Sequence, residues 1–440
     1  MKLNRVARVM AALLLVVAGV GGGSAGSAVA DAPPAYFVDE SKLPFGELTG
    51  LSSTRYWGVH GGAGYRIEVP PSWNGRLVMW THGYRGDGLE LTVDNPPLPL
   101  RAYFLANGFA WAASSYSRNA YDVAAGVKDT HALTQLFNGI VGLPQRVYLT
   151  GVSMGGHVTA AAIEQYRDEY DGAMPLCGVL GDHELFDFFL DYNMVAAALA
   201  GVETSFPPDP TEWATVTVPQ IQGALGAPWP AALNVDGQHL KAMTQLRSGG
   251  VRPLFDVAWL SWATFLFQFG SGDGTIPRSP GVVVDNTDAV YQFDTDPALS
   301  PAEQTLNADV VRVAQEPSGR VEYGAANVPV VNGTPTIPVL SMHDLGDLFV
   351  PFSMEQVYAS RVAAHDLSGM VVQRAIRGVG HCDFTPAELV RGFTDLVTWV
   401  EQGVRPPGDN VLDPAVVADP RYGCAFTTAT RNLGPFTAPC

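Results

Sequence analysis

The chain has 440 residues, 26 basic and 43 acidic, with a formal net charge of −17 at pH 7. A surface this acidic repels nucleic-acid phosphates and anionic membranes, which excludes both as expected partners. With 47% hydrophobic and 16% charged residues, a packed globular core is expected, as one large domain with an insertion or as two domains.

Lys2, Arg5 and Arg8 precede an apolar run from Val9 to Val20, and small residues follow, ending in Ala28-Val29-Ala30. Charged, apolar and small-residue regions in that order read as a signal peptide, residues 1–30. The apolar run is too short to cross a bilayer, which takes about 20 residues, and no later stretch is a transmembrane candidate. A secreted chain without a membrane anchor is expected. Cleavage after Ala30 removes three basic and no acidic residues, taking the charge from −17 to −20.

Residues 31 to about 51 read as an irregular lead-in. Gly64 to Val69 alternates apolar and polar residues as a strand does and stops at Pro70-Pro71. Arg76 to Thr81 is a short apolar strand that ends at His82-Gly83-Tyr84, and Phe109 to Ala113 is another. Helical spacing runs from about Tyr121 to Phe137. A strand at Val147 to Thr150, a helix from Gly155 to Tyr170 and a strand from Gly172 to Cys177 follow. Much later, Ile337 to Met342 and Val371 to Ile376 read as strands. Thr385-Pro386-Ala387-Glu388 opens a last helix with a capping box and proline at its first position. Short apolar strands alternating with helices imply an α/β fold: a mostly parallel sheet with helices on both faces. Such sheets carry their chemistry at the carboxyl ends of the strands. His82, Ser153, the stretch Asp344 to Asp347, and His381 all fall there.

Residues 181–335 break this alternation and separate the core segments 31–180 and 336–440. They hold many aromatics, Phe186, Phe189, Trp213, Trp259, Trp262 and Phe269 among them, and a capped helix at Ser300-Pro301-Ala302-Glu303. They read as a mainly helical insert, a lid or cap; a second structural domain away from the substrate is the alternative. Asp285, Asp288, Asp294 and Asp296 lie near turns, where scattered aspartates serve as solvated caps rather than calcium ligands. No C-x-x-C or H-E-x-x-H spacing supports zinc, so neither metal nor cofactor is expected. Cys177, Cys382, Cys424 and Cys440 fit two disulfides, and three pairings are open.

The pattern G-x-S-x-G occurs twice. One match, Gly22 to Gly26, lies in the signal peptide. The other, Gly151-Val152-Ser153-Met154-Gly155, lies between a strand and a helix. A strand-turn-helix elbow holds its serine in a strained turn with the hydroxyl exposed above the sheet. Side chains at Gly151 and Gly155 would collide with the neighbouring strand or helix, and the helix amino terminus faces a developing oxyanion.

At these residues the chain resembles the α/β-hydrolase superfamily. Thr81-His82-Gly83-Tyr84 is similar to its oxyanion loop, "GVSMGGH" to its nucleophile elbow, "IPVLSMHDLGDLFVPF" to its acid loop, and "VGHCDFTPAE" to its histidine loop. The resemblance covers about Gly64 to Gly181 and Thr336 to Gly403, not the insert. It implies Ser153 as nucleophile, His381 as base and Asp347 as acid, with Asp344 as the alternative acid. The backbone N–H groups of Met154 and Tyr84 would form the oxyanion hole. His343 is the rival base, while His82 and His157 read as structural, His157 packing or touching solvent.

The His381-Cys382 pair resembles the tannase and feruloyl-esterase group, in which that cysteine bonds one beside the serine. Here Val152 precedes Ser153, so the resemblance implies Cys177–Cys382, leaving Cys424–Cys440. A fainter likeness is to phthalyl-amidase-like secreted hydrolases. The activity implied is hydrolysis of an ester, in a small-molecule or polymeric substrate that is uncharged and fairly hydrophobic or aromatic. An amidase or peptidase with the same triad, or a non-catalytic binding protein of the same fold, are the alternatives.

Overall fold

A computed structural model describes residues 35–272, 282–317, 319–320, 328–428 and 440; the segment read as a signal peptide, with its G-x-S-x-G match, lies outside them. Ten strands follow in chain order. They are β1 (Phe37–Val38), β2 (Thr54–His60), β3 (Ala63–Val69), β4 (Arg76–Thr81), β5 (Glu90–Leu91), β6 (Phe109–Ser114), β7 (Arg146–Val152), β8 (Gly172–Leu176), β9 (Val339–Asp344) and β10 (Val371–Ile376). β1 and β5 form a small parallel pair. The other eight make one sheet, ordered β10-β9-β8-β7-β4-β6-β3-β2. β2 to β3 and β3 to β6 are antiparallel, and the remaining neighbours are parallel. This strand order, with helices on both faces, is an α/β-hydrolase fold.

Both sheet faces are covered, and the strands show why. In β4, Leu77 and Met79 join one core while Val78 and Trp80 join the other. β6 divides Ala110 and Ala112 from Phe109, Trp111 and Ala113 in the same way. A period of two with apolar residues on both sides buries a strand completely, so these runs read as continuously hydrophobic. The helices around the sheet are α1 (Leu98–Ala106), α2 (Val123–Ile140), α3 (Met154–Gln165), and, after the insert, α9 (Ser353–Ala364) and α10 (Pro386–Gln402). The capping box at Thr385 forms as expected.

β2 and α1 are not apparent in the sequence. β2 is the edge strand and is exposed or half-buried along its length, so it carries no burial alternation. α1 opens on Pro97-Leu98-Pro99, which reads as a loop, although proline suits a first helical turn. α3 begins one residue earlier and ends five residues sooner than the sequence suggests.

Among the described residues the segment between β8 and β9 is mainly helical: α4 (Glu184–Leu199), α5 (Val218–Leu225), α6 (Val235–Arg247), α7 (Phe255–Leu266) and α8 (Pro301–Asp309). Tyr192, Trp213, Phe255, Trp259, Phe267 and Tyr291 form its buried centre. That centre is continuous with the core on one sheet face, and residues Tyr36–Cys440 form one compact unit. Asp182, Arg361 and the Val331 amide tie the two ends of the insert to α9.

Candidate active site

β7 ends at Val152 and α3 begins at Met154, so the chain reverses through Ser153, whose backbone sits at φ +58°, ψ −124°. A non-glycine residue there is strained, and the surroundings hold it. The Ser153 amide donates to the Leu176 carbonyl at 3.0 Å, and its carbonyl accepts from the Gly156 amide at 2.8 Å. The flanking glycines are required by β4. A Cβ on Gly151 would stand 1.8 Å from Thr81 Oγ1, and one on Gly155 would stand 2.2 Å from the Thr81 carbonyl. Thr81 Oγ1 itself donates to the Gly155 carbonyl at 2.8 Å, locking the elbow to the strand that leads into His82-Gly83-Tyr84. Gly83 lies directly over the serine: a Cβ there would stand 3.2 Å from Ser153 Cβ. Met154 occupies the first turn of α3, where N–H groups lack intrahelical partners and the helix end is positive.

Asp347 and His381 are brought together. His381 Nδ1 lies 2.5 Å from Asp347 Oδ2. The other carboxylate oxygen of Asp347 accepts the Phe349 and Val350 amides at 2.9 and 3.0 Å. Asp347 is fully buried, and the His381 side chain is 18% exposed. His381 Nε2 is enclosed and hydrogen-bonds no described group. Ser153 and His381 are therefore not hydrogen-bonded in this structure; such bonds often tighten only when substrate arrives. Asp344, the alternative acid, faces elsewhere, its Oδ2 accepting the Asp383 amide at 2.8 Å.

Cys177, at the end of β8, bonds Cys382, and Cys424 bonds Cys440. The first bridge joins the residue after Leu176, which holds the Ser153 amide, to the residue after His381. Its sulfurs and a His381 ring nitrogen lie within 4.8 Å of one another. With both sulfurs in a disulfide, this cluster offers no thiolate to a metal.

Ser153 opens on a cavity of about 410 Å³. From the core come Tyr84, Asp87, Tyr121 and Phe349; from the segment after β8 come Leu185, Phe186, Phe189, Asn193, Phe206 and Phe269, among others. Phe189 and Phe269 stack at 4.1 Å, and Phe269 lies nearly parallel to Phe349 at 5.5 Å. The Phe349 and His381 rings meet in a T-shaped arrangement with centroids 5.1 Å apart, linking the acid–histidine pair to the cavity wall. Phe349 escaped the sequence reading, although it sits two residues past Asp347.

The remaining histidines have structural partners. His82 stacks on Tyr116 with centroids 3.9 Å apart, and its Nδ1 lies 2.7 Å from the Gly83 carbonyl. Burial lowers its pKa to about 4. His157 is fully buried rather than solvent-touching, between the Pro329 carbonyl at 2.7 Å and the Tyr121 hydroxyl at 3.2 Å; burial lowers it also to about 4. His343 spans the Val350 carbonyl at 2.8 Å and Glu355 at 3.4 Å. Asp285, Asp294 and Asp296 accept backbone amides of their own turns.

No family model matches the chain. An o-phthalyl amidase of Xanthobacter agilis is 24% identical over 415 residues, covering 78% of this chain and 86% of that protein. Among solved structures, feruloyl esterase B from Aspergillus oryzae aligns at TM-score 0.45 and 16% identity, over 85% of this chain and 86% of its own. Tannin acyl hydrolase from Aspergillus niger aligns at TM-score 0.41 and 14% identity, over 83% and 87%. The chain is thus similar to proteins named as an amidase, an esterase and a tannin hydrolase.

Proposed function

We propose that the protein is a secreted serine hydrolase that cleaves an ester or amide bond, esters preferentially, in an uncharged aromatic or apolar substrate. The observation that carries this reading is the Asp347–His381 hydrogen bond at 2.5 Å, in a fold that also holds a serine at φ +58° on an aromatic-walled cavity. Ser153 Oγ attacks the acyl carbon while His381 Nε2 takes its proton. His381 then returns the proton to the leaving alcohol or amine, giving an acyl-enzyme that water hydrolyses by the same steps in reverse. Asp347 fixes the imidazole tautomer and stabilises its protonated form. The amides of Met154 and Tyr84 hold the oxyanion, each contributing about 3 kcal/mol. The segment after β8 acts as a cap, since it supplies most of the cavity wall. Two disulfides suit an oxidising compartment, in keeping with export by the signal peptide.

Wild type and Ser153→Ala are assayed side by side on p-nitrophenyl esters of varied acyl length and on matched aryl amides. Turnover in the wild type, absent from the variant and greatest on aromatic esters, is expected. Equal turnover in both proteins would overturn the assignment of the nucleophile, and turnover of amides alone would overturn the ester preference.

A further inference from the structure

Arg252 lies in the loop between α6 and α7, inside the insert and outside the residues assigned above, yet it is 5% exposed. Its guanidinium spends its donors on neutral acceptors. Nε donates to the Leu345 carbonyl at 2.8 Å, Nη1 to the Gly250 carbonyl at 3.0 Å and Nη2 to Ser248 Oγ at 3.1 Å. The ring of Phe255 lies 5.2 Å from its centre. Burial lowers its pKa to about 9, and the one charge opposing that shift is the Asp347 carboxylate. It therefore remains a cation at neutral pH.

The place where it holds on is specific. Leu345 begins the turn that carries Asp347, and its amide is fixed from the other side by the Ile376 carbonyl. The same loop of the insert grips the far end of that segment. The Ser353 amide donates to the Ser248 carbonyl at 3.1 Å, and Gln356 Nε2 to the Gly249 carbonyl at 3.2 Å. The acid turn is thus clamped on both sides by residues 248–252. Among the described residues no carboxylate ion-pairs with Arg252, and a buried cation without such a partner is costly; here it faces the turn that carries Asp347.

We propose that Arg252 is a positioning residue for the acid of the triad: it fixes the Asp347 turn through its hydrogen bond to the Leu345 carbonyl. The insert would then contribute to activating Ser153 as well as to walling the cavity. This inference rests on the serine-hydrolase reading.

The test uses the full-length mature protein and an aryl fluorophosphonate, which reports nucleophile activation without knowledge of the natural substrate. Saturation labelling gives a binding constant and a maximal inactivation rate for wild type, Arg252→Met and Arg252→Lys, each assayed well below its Tm. The maximal rate should fall at least about tenfold in Arg252→Met, with the binding constant unchanged. Arg252→Lys, which keeps the charge and loses the planar fork, should fall in between. A folded variant of either kind labelled at the wild-type rate overturns the proposal, because a merely structural role lowers Tm alone. If Arg252→Met does not fold, Arg252→Lys decides the matter by the same criterion. Wild type that is not labelled, or is labelled elsewhere than Ser153 by peptide mapping, defeats the serine-hydrolase reading instead.

Discussion

Asp344 and Asp347 stand three residues apart, both fully buried, and their partners set them to different work. Asp347 divides its oxygens between the His381 imidazole and two amides of its own turn. Asp344 holds the Asp383 amide two residues past His381, fixing the loop that carries the proposed base. Asp347→Asn, which leaves the shape but disfavours the required tautomer, is expected to lower kcat by about ten-thousand-fold. Asp344→Asn should cost far less, because the acid–histidine bond survives. Steady-state kinetics on one activated ester compares the two, and a larger loss at Asp344 would reverse the assignment of the acid. The sequence favours Asp347 without excluding Asp344, since two aspartates in one turn have the same reach until hydrogen-bond direction is known.

At the scale of elements, the proposed triad comes from three strand ends, and two contacts tie down the elements around it. One is the Cys177–Cys382 bridge, which spans 205 residues and ties the end of β8 to the histidine loop. The other bridge spans 16 residues. Replacing both cysteines of the first pair with alanine is expected to cost about 3–5 kcal/mol of stability and to lower kcat as well. Replacing Cys424 and Cys440 should cost about 2–3 kcal/mol and leave kcat unchanged. Urea unfolding and turnover measured on both pairs check this.

The second contact is that of His157 on α3 with the Pro329 carbonyl, where the chain returns from the insert. Burial lowers its pKa to about 4, with the nearby Asp182 pulling the other way. The unfolded chain therefore takes up a proton near pH 6.5, while the folded chain resists until about pH 4. The stability His157 confers is fully present above pH 6.5 and is lost as pH falls toward 4. His157→Gln keeps a donor without this titration. Relative to wild type, its unfolding free energy should rise by up to about 3 kcal/mol between pH 7 and pH 4, measured by urea unfolding at both values. No change in that difference would mean that His157 protonates in the fold as easily as out of it.

Over the whole molecule, what could be read from sequence followed what is local. The elbow, the strand ends and the capping box at Thr385 depend on neighbours within a few residues. The cavity wall does not. Trp213 and Trp259 are buried in the centre of the insert while Phe186, Phe189 and Phe269 line the cavity, and their spacing alone does not separate them. Arg252 sits in Ser248-Gly249-Gly250-Val251-Arg252-Pro253, which reads as a surface turn until Leu345 docks on it from far along the chain. Charge, by contrast, is a property of the sum, and here it acts in one direction. The chain carries −17, and among the described residues the charged one lining the cavity is Asp87, hydrogen-bonded to the Tyr84 hydroxyl at 2.9 Å. Local and global fields thus share a sign, and an anionic substrate approaches against both. For an aryl ester bearing a carboxylate, kcat/KM is expected to rise as salt goes from about 0.01 to 0.15 M, where the screening length shrinks from about 30 to 8 Å. An uncharged ester of the same size should show no such rise, which separates screening from any general effect of salt on the enzyme. A fall with the anionic ester would instead place a cation at the cavity mouth that outweighs Asp87.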